Sequence, residues 1–531
     1  MIRINEIKLS LDEEETLLRA KASKILRINE KYITSLTVFK KSVDARHKDD
    51  VHFTYSVDVA IALDEQQIVA KCKNGKVSIV TPYCYEMPAC ARRSQFRPVV
   101  VGFGPAGMLA GLILAEAGLR PIILERGKRI NERQRDVSAF WTKAELNEES
   151  NVQFGEGGAG TFSDGKLTTG IKSPFIRKVL EELYEAGAPE EILYAAKPHI
   201  GTDRLAVVVK NIRTKIEKLG GEVLTECRLD RLIEANGFVH GVTYTHRGER
   251  IDLETDSVIL AIGHSARDTV EMLYQMGVEM IQKPFSVGAR IEHPQRLINK
   301  TQYGKFANHP KLGAADYKLA CHGLHERGAY TFCMCPGGTV VAAASEKDTV
   351  IVNGMSSLAR DGENANAALL VGIEPKDFPS EHPLAGIDYQ RAIEHQAFVL
   401  AGGDYRAPAQ LVGDFLKGEA SRQLGDVQPT YPLGVTLTSL DECLPEKVAA
   451  TMKSAIVQMD GKLAGFNLYD AVLTAPETRS SSAVRMVRDE FLQCSIRGVY
   501  PCGEGAGYAG GIISAACDGI KCAHAVLTDE H

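Results

Sequence analysis

The sequence predicts an α/β chain whose parallel sheet is assembled from distant segments, with a β-rich insertion and a small α+β unit ahead of it. Three observations predict this. A β-branched run, Val99 to Val101, leads through Gly102-Phe-Gly104-Pro-Ala-Gly107 into an apolar helix and then a strand from Pro121 to Leu124. A second apolar run, Ser257 to Ile262, turns at Gly263 and opens a helix near Asp268. A third, Gly498-Val-Tyr-Pro-Cys-Gly503-Glu504, is followed by a helix of small residues, with too little chain after it for another strand and acid. It must therefore complete the first unit. Short apolar runs of this kind fill buried parallel strands.

In the first unit each glycine has its own task. Gly102 permits a tight turn, Gly104 lets a pyrophosphate approach the backbone, and Gly107 lets helix and strand pack closely. Pro105 and Ala106 open the helix, where a missing N–H is harmless and the dipole's positive end faces the pyrophosphate. Glu125, followed by Arg126, lies 23 residues beyond Gly102. A carboxylate there is placed for both hydroxyls of an adenosine ribose and would repel a 2′-phosphate. The strand, helix and acid together make this a dinucleotide site rather than a bare glycine motif. From Val99 to Leu119 the only charge is Glu116, but four glycines and a proline in the first thirteen residues argue against a membrane span.

The 531 residues suffice for two or three domains, and 44% hydrophobic with 24% charged residues is ordinary for a globular protein. A net charge of −6 implies no general attraction to nucleic acid or anionic membranes. The twelve cysteines show no regular spacing; Cys333-Met-Cys335 is too tight for a usual zinc pair, and no CxxC occurs. We expect no metal site, and a reducing cytoplasm with free thiols.

Four segments follow. Residues 1–95 read as an appended α+β unit: a strand from Ile2, a helix after Asp12-Glu-Glu-Glu15, and alternating strands from Ile33 and Val51. Its mild positive excess is the mark of a solvated face, and without an aromatic-basic motif RNA binding is the minor reading. Residues 96–281 carry the first part of the nucleotide fold, including a helix after Lys128, a helix from Gly201 to Lys218 and a β-meander from Leu229 to Leu253. Six glycines between Gly155 and Gly170, among them Gly157, Gly158 and Gly160, alternate with Thr161, Ser163 and Lys166. A loop so bare of side chains is expected to lie as a backbone wall against a flat group. Gly263-His-Ser265 lacks the second glycine of a nucleophile elbow, which excludes a hydrolase of that type. Residues 282–473 form the β-rich insertion, and 474–531 return to the nucleotide fold. In Lys283-Pro-Phe-Ser-Val-Gly-Ala-Arg-Ile-Glu-His-Pro294, strand alternation puts Arg290 and Glu292 on one face and His293 on the other, as a site or as a structural ion pair. Arg479 and Arg485 lie in a second polar cluster, near Ser480-Ser-Ser482.

The strings Gly157-Gly-Ala-Gly-Thr-Phe-Ser-Asp-Gly-Lys-Leu167, Ala261-Ile-Gly-His-Ser-Ala-Arg-Asp-Thr269, Pro284-Phe-Ser-Val-Gly-Ala-Arg-Ile-Glu-His-Pro-Gln295 and Gly503-Glu-Gly-Ala-Gly-Tyr-Ala-Gly-Gly511 resemble a family of bacterial FAD-dependent dehydrogenase-like proteins of unassigned substrate. That family falls within the superfamily with a glutathione-reductase-type FAD-binding fold. The resemblance covers residues 97 to 531. It implies that Gly102, Gly104, Gly107 and Glu125 hold the ADP half of FAD, that Glu504 meets the ribityl chain, and that Gly510, Gly511 and Ile512 approach the flavin's pyrimidine end. The disulfide reductases of that superfamily carry a cysteine pair after the first helix and a second GxGxxG for NAD(P)H. This chain has neither in those regions. A nicotinamide reductant would have to visit the flavin cleft, or the substrate itself would reduce the flavin.

The expectation is a flavoprotein that exchanges a hydride between flavin N5 and a small organic substrate. Glu292, His293 and Lys166 are the acid–base candidates, and Arg290, Arg479 and Arg485 the anchors for an anionic substrate. A flavin monooxygenase using NAD(P)H and oxygen is the alternative in the same class. A flavin-bearing binding or RNA-modification partner docking through residues 1–95 is the alternative of another class. Oligomeric state is left open.

Overall fold

A computed structural model describes residues 1–72 and 75–529. The centre is a five-stranded, wholly parallel sheet in the order Val499–Pro501, Val258–Leu260, Val99–Val101, Ile122–Leu124, Glu222–Leu224. The three glycine units thus supply adjacent strands, in register Val258↔Val99 and Val258↔Val499. Each strand is three residues long and almost wholly apolar, because helices cover the sheet. Pro105–Glu116 is buried along nearly its whole length and lies against Ile512–Thr528, where Gly519 leaves room for the Ala106 carbonyl. The expected meander is a three-stranded antiparallel sheet of Cys227–Ala235, Phe238–His246 and Glu249–Glu254.

The insertion is built on a seven-stranded mixed sheet with Phe285–Pro294 near its middle, between Asn364–Ile373 and Val472–Glu477. The expected division between 473 and 474 falls inside the last of these strands. Its pairing runs on to Gly288↔Glu477, so the chain leaves the sheet only after Glu477. Thr339–Ala342 forms a separate two-stranded ribbon with Val352–Met355.

Residues near the amino end form a four-stranded antiparallel sheet, Ile33–Asp44, His52–Ile61, Ile2–Ser10 and Val77–Ile79, with helix Leu17–Leu26 turning Leu18, Ala22 and Leu26 inward. Its edge joins the rest of the molecule through backbone bonds, Lys41 N–H to the Tyr194 carbonyl and Ala196 N–H to the Lys41 carbonyl, both 2.8 Å. The stretch after Val80 has no regular structure and runs beside the final helix, where the Ala91 N–H donates to the Leu527 carbonyl at 2.8 Å. Among the described residues no helix is long and apolar enough to cross a membrane.

Candidate active site

The carboxyl ends of the parallel strands open into one cavity of about 1080 Å³ that continues to the face of the seven-stranded sheet. This is where an open α/β sheet places its ligand. Gly102 turns the chain at φ +99°, beside the Ala261 carbonyl. The glycine-rich loop is stitched to that turn by the Gly157 N–H, which donates to the Phe103 carbonyl at 2.9 Å. Gly158, at φ +63°, comes so close to Gly104 that its β-carbon would stand 2.9 Å from the Gly104 α-carbon. Gly160 meets the third corner, with a β-carbon position 3.4 Å from Ile512. The corners near 104, 160 and 510 therefore enclose a single space.

The Glu125 carboxylate organises the turn from the second strand. It accepts the N–H of Phe103 at 2.8 Å, and those of Gly127 and Gly155 at 2.9 Å each. Arg126 stacks over Phe154 at 4.1 Å and pairs with Asp268 and Glu149. Two helices point their amino ends at the cavity without a capping side chain: Pro105–Glu116 behind Gly104, and Ile512–Thr528 behind Gly511. Uncapped N–H groups with the dipole's positive end make a place for anionic charge. His264 lies in the wall with Nδ1 3.5 Å from Glu504 and its buried Nε2 without a hydrogen-bond partner among the described residues.

Of the sequence-predicted cofactor residues, Gly102, Gly104, Pro105, Ala106, Glu125, Arg126, Gly158, Gly160, Ser163, Gly263, Glu504, Gly510, Gly511 and Ile512 line the cavity. Gly107, Gly157, Thr161 and Gly503 lie one layer behind it. Gly107 packs under the Gly102 carbonyl, Gly157 against Thr161, and the Gly503 N–H donates to Asp518 at 2.8 Å.

The catalytic and anchoring expectations need correction. Glu292 is fully buried away from the cavity, where its carboxylate accepts Thr430 Oγ1 at 2.6 Å and Asn364 Nδ2 at 3.1 Å; burial pushes its pKa up. His293 is sealed on the opposite face, Nε2 2.8 Å from the Phe466 carbonyl, and burial pushes it down to about 4, so the ring is neutral. Neither side chain lines the cavity. Arg290 pairs with Glu477 rather than with Glu292, at 2.5 and 3.1 Å, and is also wholly buried. Arg485 is exposed, beside Tyr508 and the Gly507 carbonyl. The strand Phe285–Pro294 is covered on both faces. Alternation therefore separates its faces but does not show which one is open.

Lys166 and Arg479 do line the cavity. Lys166 donates to the Met334 carbonyl. Arg479 is held by Glu394 at 3.0 and 3.1 Å and by Ser345 at 2.6 Å, which leaves its guanidinium little freedom for a substrate. Residues that sequence reasoning did not select complete the far wall: Lys283, Tyr317, Cys333, Asn353, Arg360 and Glu477. Lys283 stood in a quoted motif, a half-buried cation at its first position. It donates to Ser481 Oγ at 2.8 Å, and burial, reinforced by Arg485, pushes its pKa down. Among the described residues neither Lys166 nor Lys283 forms an ion pair. Cys502, Asp518 and Cys522 gather their donor atoms within 4.8 Å. Arg488 already neutralises Asp518 there, at 2.8 and 3.0 Å.

A glycine-walled dinucleotide cavity at the carboxyl edge of a parallel sheet, with a β-rich domain facing it, defines an FAD-binding oxidoreductase-type protein. Residues 284–480 match a family model described as FAD-dependent protein, C-terminal domain-like, and residues 1–60 match a domain of unknown function. An uncharacterized protein of Clostridium beijerinckii is 48% identical over 529 residues, spanning 99% of this chain and 98% of that one. The chain belongs to the same family of FAD-dependent proteins, and its cofactor is FAD. Among solved structures it is similar to the quinol fumarate reductase FrdA of E. coli, at 10% identity over 82% of this chain and 70% of that one, TM-score 0.37. It is also similar to the 3-ketosteroid dehydrogenase of Rhodococcus jostii, at 13% identity over 83% and 99%, TM-score 0.34.

Proposed function

We propose that this protein is an FAD-dependent dehydrogenase-like enzyme acting on a small organic anion. The observation that carries the reading is the single cavity shared by the three glycine corners and a cationic far wall. When bound, FAD supplies hydride acceptance or donation at N5. Gly102, Gly104, Pro105 and Ala106 would hold the pyrophosphate, Glu125 would serve the adenosine ribose and Glu504 the ribityl chain. The open helix end at Gly510 and Gly511 stabilises negative charge near it. Lys166 and Lys283, which lack carboxylate partners, orient the substrate's anionic group. Lys283, whose burial favours the neutral amine, holds or releases a proton. A nicotinamide reductant enters by the same cavity.

The test is anaerobic reduction of the flavin-loaded protein, screened against NADH, NADPH and a panel of small carboxylates. Bleaching of the visible flavin bands by a carboxylate, or reoxidation by one after nicotinamide reduction, is expected. A folded protein that takes up no FAD, or a bound flavin that only neutral compounds reduce, would overturn the reading.

A further inference from the structure

The strand Arg327–Cys335 reaches the cavity through a β-bulge. Phe332 stands opposite Ala368 and Cys335 opposite Asn366, so three steps on this strand face two on its neighbour. Cys333 sits in the bulge at φ +41°, a region that residues bearing a β-carbon seldom occupy. Arg290 holds this backbone in place by donating to the Cys333 carbonyl at 2.8 Å. Bulges re-aim side chains beside functional sites. Here the bulge puts Cys333 in the cavity wall, while Cys335 stays fully buried behind it. The Cys335 thiol donates to the Cys333 carbonyl at 3.2 Å and lies within hydrogen-bonding reach of the Cys333 sulfur.

The charges around the pair are of both signs. Arg290 faces it from Phe285–Pro294, the next strand but one, and Lys166 from the glycine-rich loop. Asp164 and Glu477 are the acids nearby, and each is committed to an arginine, Asp164 to Arg360 and Glu477 to Arg290. An accessible thiol beside cations, with a second thiol shielded behind it, is the arrangement of an attacking and a resolving cysteine.

We propose that Cys333 and Cys335 form a redox-active dithiol and that the cavity performs thiol–disulfide exchange with small disulfides. The Cys333 thiolate attacks one sulfur of the disulfide RSSR, forming a Cys333–SR bond and breaking RS–SR. The departing thiolate takes up the proton that Cys333 has released. Cys335 then gives up its proton and attacks the Cys333 sulfur, expelling the second RS group as a thiol. The protein loses two electrons and two protons, and RSSR becomes two RSH. A small thiol restores the dithiol by the reverse exchange. The adjacent Cys335 thiol, with Arg290 and Lys166, pulls the Cys333 thiol down. The contact with Cys333, together with burial, pushes Cys335 well up. The placement of the two sulfurs assigns the roles: Cys333, in the cavity wall, attacks, and Cys335, buried behind it, resolves.

This exchange needs no flavin, so its outcome and that of the flavin-reduction screen are separate. The full-length protein, as purified with its flavin, is pulsed with iodoacetamide at pH 6 and its cysteines are quantified by peptide mass mapping. Cys333 is expected to alkylate about tenfold faster than the exposed Cys84 and Cys90, the gain in thiolate fraction less the loss in nucleophilicity. Challenge with 2-hydroxyethyl disulfide is expected to convert the wild-type protein to a form with a 333–335 cross-link and two fewer hydrogens. In Cys335→Ser it should stop at a mixed disulfide on Cys333. Alkylation of Cys333 no faster than of Cys84 would overturn the proposal. So would a wild-type protein that gains no 333–335 link under challenge, a result that does not depend on whether the variant folds.

Discussion

Gly158 lies over Gly104 with no space for a side chain between them: a β-carbon on Gly158 would stand 2.9 Å from the Gly104 α-carbon. The contact brings the glycine-rich loop onto the first nucleotide turn, and its value lies in what it leaves open beside it. Gly158→Ala must displace one wall or the other and also strain a backbone at φ +63°. That conformation costs an alanine roughly 1–2 kcal/mol. FAD affinity is expected to fall about tenfold or more, measured by flavin retention during gel filtration and by titration of the apoprotein. Unchanged retention would show that the loop does not wall the cofactor.

Glu125 satisfies three backbone N–H groups at the same corner. Glu125→Ala leaves them buried without an acceptor, at a cost of about 1–3 kcal/mol for each one not rescued by water. We expect a clear drop in the urea midpoint of the apoprotein as well as loss of FAD. Glu125→Gln, with one acceptor oxygen left, should recover part of the stability and little of the binding.

His293 makes stability pH-dependent. Its pKa in the fold, about 4, lies below the ordinary 6.5. The unfolded chain therefore binds more protons between those values, and stability rises with pH across that window and is lost on acidification. The difference is worth roughly 3 kcal/mol. Replacing it by glutamine, which can still donate to the Phe466 carbonyl, should remove this dependence, so that the wild-type minus variant difference in unfolding free energy rises between pH 4 and 6.5. A difference that stays constant across this window would exclude His293 as its source.

Glu394 lies between two arginines, bonded to Arg267 at 2.8 Å through both oxygens and to Arg479 at 3.0 and 3.1 Å. Arg267 and Arg479 hold its carboxyl far below the usual range, against the opposing effect of burial. Glu394→Ala leaves Arg267 and Arg479 to share the half-buried Glu346 as their carboxylate partner and should cost about 3 kcal/mol. It should also free Arg479 to shift in the cavity wall. Because the folded carboxyl titrates lower than the unfolded one, the stabilisation is complete above the unfolded value and fades in acid. The Glu394→Gln penalty should therefore shrink as pH falls below 4. Urea unfolding at several pH values checks both statements.

The parallel sheet could be read from the sequence because its signals are local: β-branched triplets, glycine turns and the helices that follow them. The acid after Leu124 was equally legible, since the motif fixes its distance. The far wall was not. Arg290 finds Glu477 across a strand pairing of the insertion, and no periodicity in Phe285–Pro294 encodes that partner. Glu292 and His293 have the composition of a site and the environment of a core, a distinction that depends on Thr430 and Phe466 from distant segments. Cys333 was hidden for another reason: a bulge, with its left-handed residue, follows from tertiary pairing and leaves no mark in residue alternation.

The neighbouring strands Val258–Leu260 and Val499–Pro501 are separated by about 240 residues of chain. At roughly 5–20 residues per second, a ribosome needs on the order of 10–50 s to deliver the second after the first. Throughout that interval the nascent sheet keeps a bare edge, which is a template for wrong pairing. FAD cannot be fully enclosed until the chain has emerged beyond Ile512, so the cofactor is acquired only after most of the polypeptide has been synthesised.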